Sequence, residues 1–271
     1  MTDVVSSGTT SPIRPAAFLL EREFWLLILL GLVFFRAPLF LGETFYYRDL
    51  YSHFLPRKMV FAEMLRSGEC PLWDPTLQGG QPLLANPNNT ILYPTSALYL
   101  VLPLLAAFNL DICFHFLLCS ASAYLLSRLV GLDRLPALVS GLTFGYCGYT
   151  LSLGNLLNRL LAMPYVPLLT FLWHLFLVEG KRRYFLLSVA AALFQMLSGA
   201  PETCLLTYVF LLLWTLLFPY AAPSTGRRVA RFGLLLVLAL GMFSVQGLPA
   251  AEMTLNSSRA APPAAHAHEA S

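Results

Sequence analysis

The sequence predicts an all-α fold: a polytopic transmembrane helical bundle of about seven crossings, with a large first extracytoplasmic loop containing an interfacial helix. Three observations predict it. Of 271 residues, 57% are hydrophobic and only 11% are charged, and the mean hydropathy is +0.67. An average soluble domain carries roughly 25% charged residues, so this chain cannot cover a water-facing surface. The apolar residues run on for about 17–20 positions at a time, enough for a helix to cross a hydrocarbon core roughly 30 Å thick. They do not alternate as the strands of a membrane barrel do. Positive charges gather between the runs, at Arg128 and Arg134, at Lys181, Arg182 and Arg183, and at Arg227, Arg228 and Arg231. Loops of that kind stay in the cytoplasm.

Residues 1–17 are rich in Ser, Thr and Pro and read as a disordered cytoplasmic tail; 18–250 form the transmembrane domain. The first span covers about Phe24 to Leu41, with Arg14 and Arg22 before it. No small-residue cleavage site follows, so the run is read as an anchor and not a signal peptide. Residues 43–107 then lie outside. Within them Pro56 opens the helix PRKMVFAEMLRSG, with Met59, Val60, Met64 and Leu65 toward lipid and Arg57, Lys58, Glu63 and Arg66 exposed. Gly68 stands where a helix end needs positive φ. Further apolar segments occupy 91–107, 109–128, 136–153, 160–178, 184–199, 203–220 and 232–249. If 109–128 ends in the cytoplasm at Arg128, it begins outside, so 91–107 does not cross. Its Pro94, Thr95, Ser96 and Pro103 suit a re-entrant or interfacial segment. Parity leaves seven crossings, an N-terminus in the cytoplasm and an extracytoplasmic tail over 251–271; an eight-span or a soluble-core arrangement is the alternative reading.

The net charge of +3 is small, and no basic run is interleaved with aromatics, so no nucleic acid partner is expected. Cys70, Cys113, Cys119, Cys147 and Cys204 form no CxxC or metal-spaced set. Four lie in apolar runs as small hydrophobes, and neither a disulfide nor a zinc site is expected.

The chemistry concentrates in the segment from Glu43 to Pro94. Asp49, in YYRDLY just outside the first span, is read as partly desolvated between aromatics and paired with Arg48. That setting suits a general base or a metal ligand; an ion pair with Arg48 or Arg57 that only orders the loop is the other reading. Downstream, PLWDPTLQGGQPLLANPNN is a rigid irregular loop whose Trp73, Gln78, Gln81 and Asn86 could stack on and hydrogen-bond a polyol, while Asp74 caps a turn. Two further turns face outside on this topology. One offers Asn155, Asn158 and Arg159; the other, Ser198-Gly-Ala-Pro-Glu202, sets a carboxylate at a membrane boundary. Glu202 can equally favour the dipole of the next helix. His115 and His174, inside apolar runs, read as buried polar contacts.

The stretch RDLYSHFLPRKMVFAEMLRSGECPLWDPTLQGGQPLLANPNNTILYP resembles the first extracytoplasmic loop of the YfhO-type bacterial membrane proteins. The likeness continues through Gly141–Gly154, the SGAPE turn and LPAAEMTLNSSR. Two departures stand out: Ala200 replaces the usual histidine of the turn, and Asp74 the commoner asparagine after Trp73. Members of that family continue past this point, so the resemblance implies a truncated member.

What the resemblance implies is a GT-C-like glycosyltransferase of the bacterial cytoplasmic membrane. Such enzymes move a sugar from a polyprenyl-phosphate donor, on the outer face, to an acceptor in the cell envelope: a glycan, a teichoic-acid-like polymer or a protein. An early acidic residue in the first outer loop then acts as base or helps to bind a divalent metal, and Asp49 matches that position, with Glu202 as second catalytic candidate. Arg48, Arg57 or Arg159 would meet the donor phosphate, and Trp73, Gln81, Asn86 and Asn155 the sugars. The alternative is a non-enzymatic transporter or lipid-handling protein, or an inactive remnant; against transport, the spans carry few ionisable groups (Asp111, Glu202 and two histidines), all near ends or isolated.

Overall fold

The structure is a computed structural model that describes residues 15–257 apart from 78 and 221; Gln78 and most of the two expected tails lie outside the described residues. The described residues are mainly helical, with one hairpin of two-residue strands. A short turn, α1 (Pro15–Phe18), precedes α2 (Arg22–Phe34) and α3 (Arg36–Phe40). The first apolar run is therefore broken, at Phe35, whose φ of −95° and ψ of 24° leave the helical region. The loop follows: a π-helical turn Leu50–Phe54 leads into α4 (Leu55–Arg66), with Pro56 in its first turn. Next come the hairpin β1 (Trp73–Asp74) and β2 (Gln81–Pro82), antiparallel with Trp73 opposite Pro82 and Asp74 opposite Gln81, and a 3₁₀ turn Pro87–Asn89.

The segment 91–107 folds as a 3₁₀ turn (Pro94–Ala97) and one turn of helix, α5 (Leu98–Val101). Both are far too short to cross a bilayer. Leu102 is extended and Pro103 caps α6 (Leu104–Leu129), the long helix against which much of the molecule packs. The run 136–153 is likewise two helices, α7 (Arg134–Tyr146) and α8 (Gly148–Leu153), separated at Cys147 with extended backbone. Glycines flank that break and weaken the helix there. They also let α7 lie close on α6, since a Cβ at Gly145 would stand 2.7 Å from the Ser120 Cβ.

α9 (Leu157–Ala162) and α10 (Tyr165–Glu179) form one apolar run with a turn at Met163–Pro164, followed by α11 (Arg182–Leu197), α12 (Pro201–Leu217) and α13 (Thr225–Leu255). Three helical runs among the described residues are long and apolar enough to cross a membrane: Leu104–Leu129, Leu157–Glu179 and Thr225–Leu255; Pro201–Leu217 is a shorter apolar helix. α13 is longer than the 232–249 expected, and Gln246 on it donates to the Leu84 carbonyl at 2.5 Å, tying it to the loop.

Side-chain bonds fasten the two ends of α6 differently. At its last turn Arg128 holds Glu21 through three hydrogen bonds, from Nε to Oε1 (3.2 Å) and Oε2 (2.9 Å) and from Nη2 to Oε1 (2.7 Å), while Tyr124 donates to the same carboxylate and Arg134 stands 3.6 Å away. At its first turns the loop is anchored through a polar core. Lys58, expected to be exposed, is completely buried and donates to the Thr90 carbonyl (2.9 Å) and the Ser96 hydroxyl (2.7 Å). The reason is register: Phe54, Lys58, Phe61 and Ala62 share one helical face, and that face is covered by the loop chain, with Phe61 against Leu83 and Ile91.

Beneath them runs a chain of buried groups. Tyr99 donates to Asp111 (3.0 Å); His115 Nδ1 lies 2.7 Å from the Asp111 carbonyl and 3.2 Å from its carboxylate; His115 Nε2 meets the Tyr93 hydroxyl (2.8 Å), which meets that of Tyr165 (2.8 Å). His115 is the buried polar contact read from sequence, and Asp111, near the start of α6, is not isolated but bonded to Tyr99 and His115. They join loop, α6 and α10.

Candidate functional site

Three loops meet beside this anchor and enclose a polar cavity of about 470 Å³. The π-helical turn brings Asp49, His53 and Phe54; the 3₁₀ turn brings Asn88; the turn before and within α9 brings Leu156, Asn158 and Arg159; and the SGAPE turn brings Gly199, Pro201 and Glu202. Asn158 ties three of these together. Its Nδ2 lies 3.1 Å from Asn88 Oδ1 and 3.1 Å from the Gly199 carbonyl. Gly199 has a φ of +75°, and a Cβ there would overlap the Pro87 carbonyl, so the SGAPE turn can lie against the loop only as glycine. Across the cavity mouth Arg159 Nη2 faces Glu202 Oε1 at 3.4 Å, both half-exposed.

The residues singled out from sequence divide into three groups. Asp49, Arg159 and Glu202 line the one cavity. Arg48 and Asn155 line a neighbouring aromatic-walled cavity of about 510 Å³. The other four line neither. Arg57 donates to the His53 carbonyl (2.9 Å) and so braces the π-helical turn. Asn86 caps the Pro87–Asn89 turn by accepting from the Asn88 amide (3.1 Å). Trp73 stands half-exposed over Gly80, and Gln81 pairs across the hairpin from Asp74. Asp74 accepts from the Thr76 amide (2.8 Å) and hydroxyl (2.6 Å), the turn-capping role read for it.

Asp49 itself departs from the expectation. It is exposed, and it makes no ion pair with Arg48 or Arg57 among the described residues. Arg48 adopts a φ of +42°, rare for a side-chain-bearing residue. That bend sends successive residues to different cavities, so the neighbours Arg48 and Asp49 do not neutralise each other.

Sequence reading missed His53 as a site residue. The signal was there: it lies four residues after Asp49 on a helical repeat, the spacing that stacks side chains on one face. Burial holds its imidazole pKa below the ordinary value, the Arg57 cation adds to this, and Asp49 pulls the other way. Burial likewise lowers Lys58 to about 8 against the pull of Asp111.

A divalent metal does not fit these residues. Among the described residues no group of three or more His, Cys, Asp or Glu side chains is placed to hold one. Of the three acidic or imidazole groups in the cavity, Glu202 is already engaged by the Arg159 cation.

An apolar groove of about 400 Å³ shares two wall residues with the cavity, Gly199 and Pro201. Its walls are Pro87, Met196, Cys204, Leu205 and Tyr208 on one side, and Leu236, Leu240 and Phe243 of α13 on the other. Comparison with protein-family models, with curated proteins and with solved structures gives no match.

Proposed function

We propose that this chain is a membrane glycosyltransferase of the GT-C-like kind. It takes a sugar from a polyprenyl-phosphate donor at the outer face of the bacterial cytoplasmic membrane and passes it to a cell-envelope acceptor: a glycan, a teichoic-acid-like polymer or a protein. In this reading the chain crosses the membrane seven times, with its N-terminus in the cytoplasm and the cavity outside. The observation that carries it is that a polar cavity holding Asp49, Arg159 and Glu202 and an apolar groove share Gly199 and Pro201 in their walls. An isoprenoid phosphate needs that combination: apolar walls for its chain, and a cation with an acidic neighbour where the chain ends.

Arg159 stabilises the phosphate as the glycosidic C–O bond breaks and charge grows on the leaving oxygen. Glu202 orients that guanidinium. Asp49 supplies negative charge on the acceptor side, where the attacking hydroxyl sheds its proton. A transport reading draws less support, because the buried Asp111 and His115 are bonded into the loop anchor and do not border the cavity.

The test is reconstitution of the full chain in lipid nanodiscs with polyprenyl-phosphate-linked radiolabelled hexoses and envelope material as acceptor. Label is expected to leave the lipid fraction, and Arg159→Gln is expected to slow this by roughly 100-fold. Failure of every donor, or transfer by Arg159→Gln at the wild-type rate, sinks the proposal.

A further inference from the structure

We infer that His53, and not the Asp49 carboxylate, takes the proton from the acceptor hydroxyl, with Asp49 stabilising the imidazolium that forms. The inference rests on the glycosyl-transfer reading and deepens it. Asp49 and His53 border the same cavity from the same helical turn. Asp49 is exposed to water, whereas His53 is half-buried against the Phe54 ring, their centroids 4.9 Å apart. Among the described residues neither nitrogen of the His53 ring has a hydrogen-bond partner; the Arg57 side chain bonds the His53 backbone carbonyl and not the ring. An imidazole at the wall of a polar cavity with both nitrogens free is available to a substrate hydroxyl. Carboxylates as a class are far weaker bases than imidazole near neutral pH, and the remaining carboxylate, Glu202, is held by Arg159.

The charged groups around His53 have matching roles. Burial, and after it Arg57 on the following turn, favour the neutral ring; Asp49, on the preceding turn, favours the cation. Arg159 and Glu202 lie across the cavity on α9 and α12 as a pair. In the step itself the acceptor O–H bond breaks and its proton moves to a free ring nitrogen of His53. The oxygen lone pair forms the new bond to the anomeric carbon. The bond from that carbon to the phosphate oxygen breaks, its electron pair leaving as polyprenyl phosphate, and the imidazolium returns its proton to water through the open cavity.

The test is the pH profile of kcat/KM for the full chain in nanodiscs, with the lipid-linked donor, for wild type, His53→Gln and Asp49→Asn. Wild-type activity is expected to rise through one ionisation below about 6.5. His53→Gln is expected to lose that limb and about 100-fold in kcat with donor KM unchanged. Asp49→Asn is expected to keep the limb and move it to lower pH, because the charge favouring imidazolium is gone. A limb that survives in His53→Gln, or one abolished in Asp49→Asn, overturns the assignment. The Asp49→Asn profile decides alone if His53→Gln does not fold. Absence of transfer by the wild type instead removes the glycosyl-transfer reading and this inference with it.

Discussion

Lys58 and Thr90 are joined by a hydrogen bond of 2.9 Å from the ammonium to the carbonyl, with the Lys58 side chain wholly out of contact with solvent. The pair clamps α4 to the chain that carries Asn88, and thereby holds two walls of the polar cavity together. Replacing Lys58 with alanine removes its hydrogen bonds to the Thr90 carbonyl and the Ser96 hydroxyl and leaves a buried void, and is expected to cost about 3 kcal/mol. A melting curve in detergent checks this.

The same lysine predicts a pH dependence. Its pKa falls from 10.5 unfolded to about 8 folded, so between those values the unfolded chain binds more protons and stability rises with pH. The gain is about 3 kcal/mol in full. Near pH 10 it is opposed by Tyr93 and Tyr99, whose phenols burial pushes well up; they stay neutral folded while ionising unfolded. Lys58→Met is expected to flatten the rise between pH 8 and 10, and melting temperatures across that range measure it.

Gly199→Ala is expected to destabilise by about 3 kcal/mol, because the new Cβ meets the Pro87 carbonyl and the residue must keep positive φ. Gly180→Ala is the control: its φ is +67°, but no atom lies within 4 Å of the added carbon. There only the backbone term remains, about 1 kcal/mol. Equal losses at both sites would refute the packing argument.

Glu21→Gln is expected to cost about 2 kcal/mol, since it removes charge-assisted bonds to Arg128 and leaves that guanidinium poorly matched. Burial raises the Glu21 pKa, but hydrogen bonds from Arg128 and Tyr124 outweigh it and the net shift is downward. The stability it contributes is therefore present above 4.5 and lost as pH falls through the lower folded value. Acid unfolding of wild type and variant should converge at low pH.

The proposed orientation, with the loop outside and the basic turns in the cytoplasm, is checked with cysteine chemistry. Cys70 is exposed in the loop, while Cys113, Cys119 and Cys204 are buried. A membrane-impermeant maleimide is expected to label Cys70 in intact spheroplasts. Cysteines introduced at Arg134 and Arg182 are expected to react only after permeabilisation. Labelling of either in sealed cells would reverse the orientation.

Much of the fold was legible because membrane helices answer to a simple rule: apolar length. The runs at 109–128, 160–178 and 232–249 became helices for that reason, and Pro103 and Pro164 each mark a helix boundary. The breaks at Phe35 and Cys147 were not legible, because local hydropathy does not register a change of backbone direction. The face of α4 was misread for a related reason. Its apolar residues suited lipid as well as a protein lid, and only the lid (Leu83, Ile91 and the Thr90 carbonyl) decided that Lys58 goes inward.

The sequence by itself determined that this chain is helical, with runs long and apolar enough to cross a membrane, and that its polar residues gather in one loop and two turns, because composition, charge spacing and Pro/Gly punctuation act locally. Only the tertiary structure decided which of those residues share a cavity. Asp49, Asn158 and Glu202 are separated by long apolar runs, and their meeting depends on how α6, α9 and α12 pack. That packing also left Asp49 in water, engaged Glu202 with Arg159, and turned the unremarked His53 toward the site.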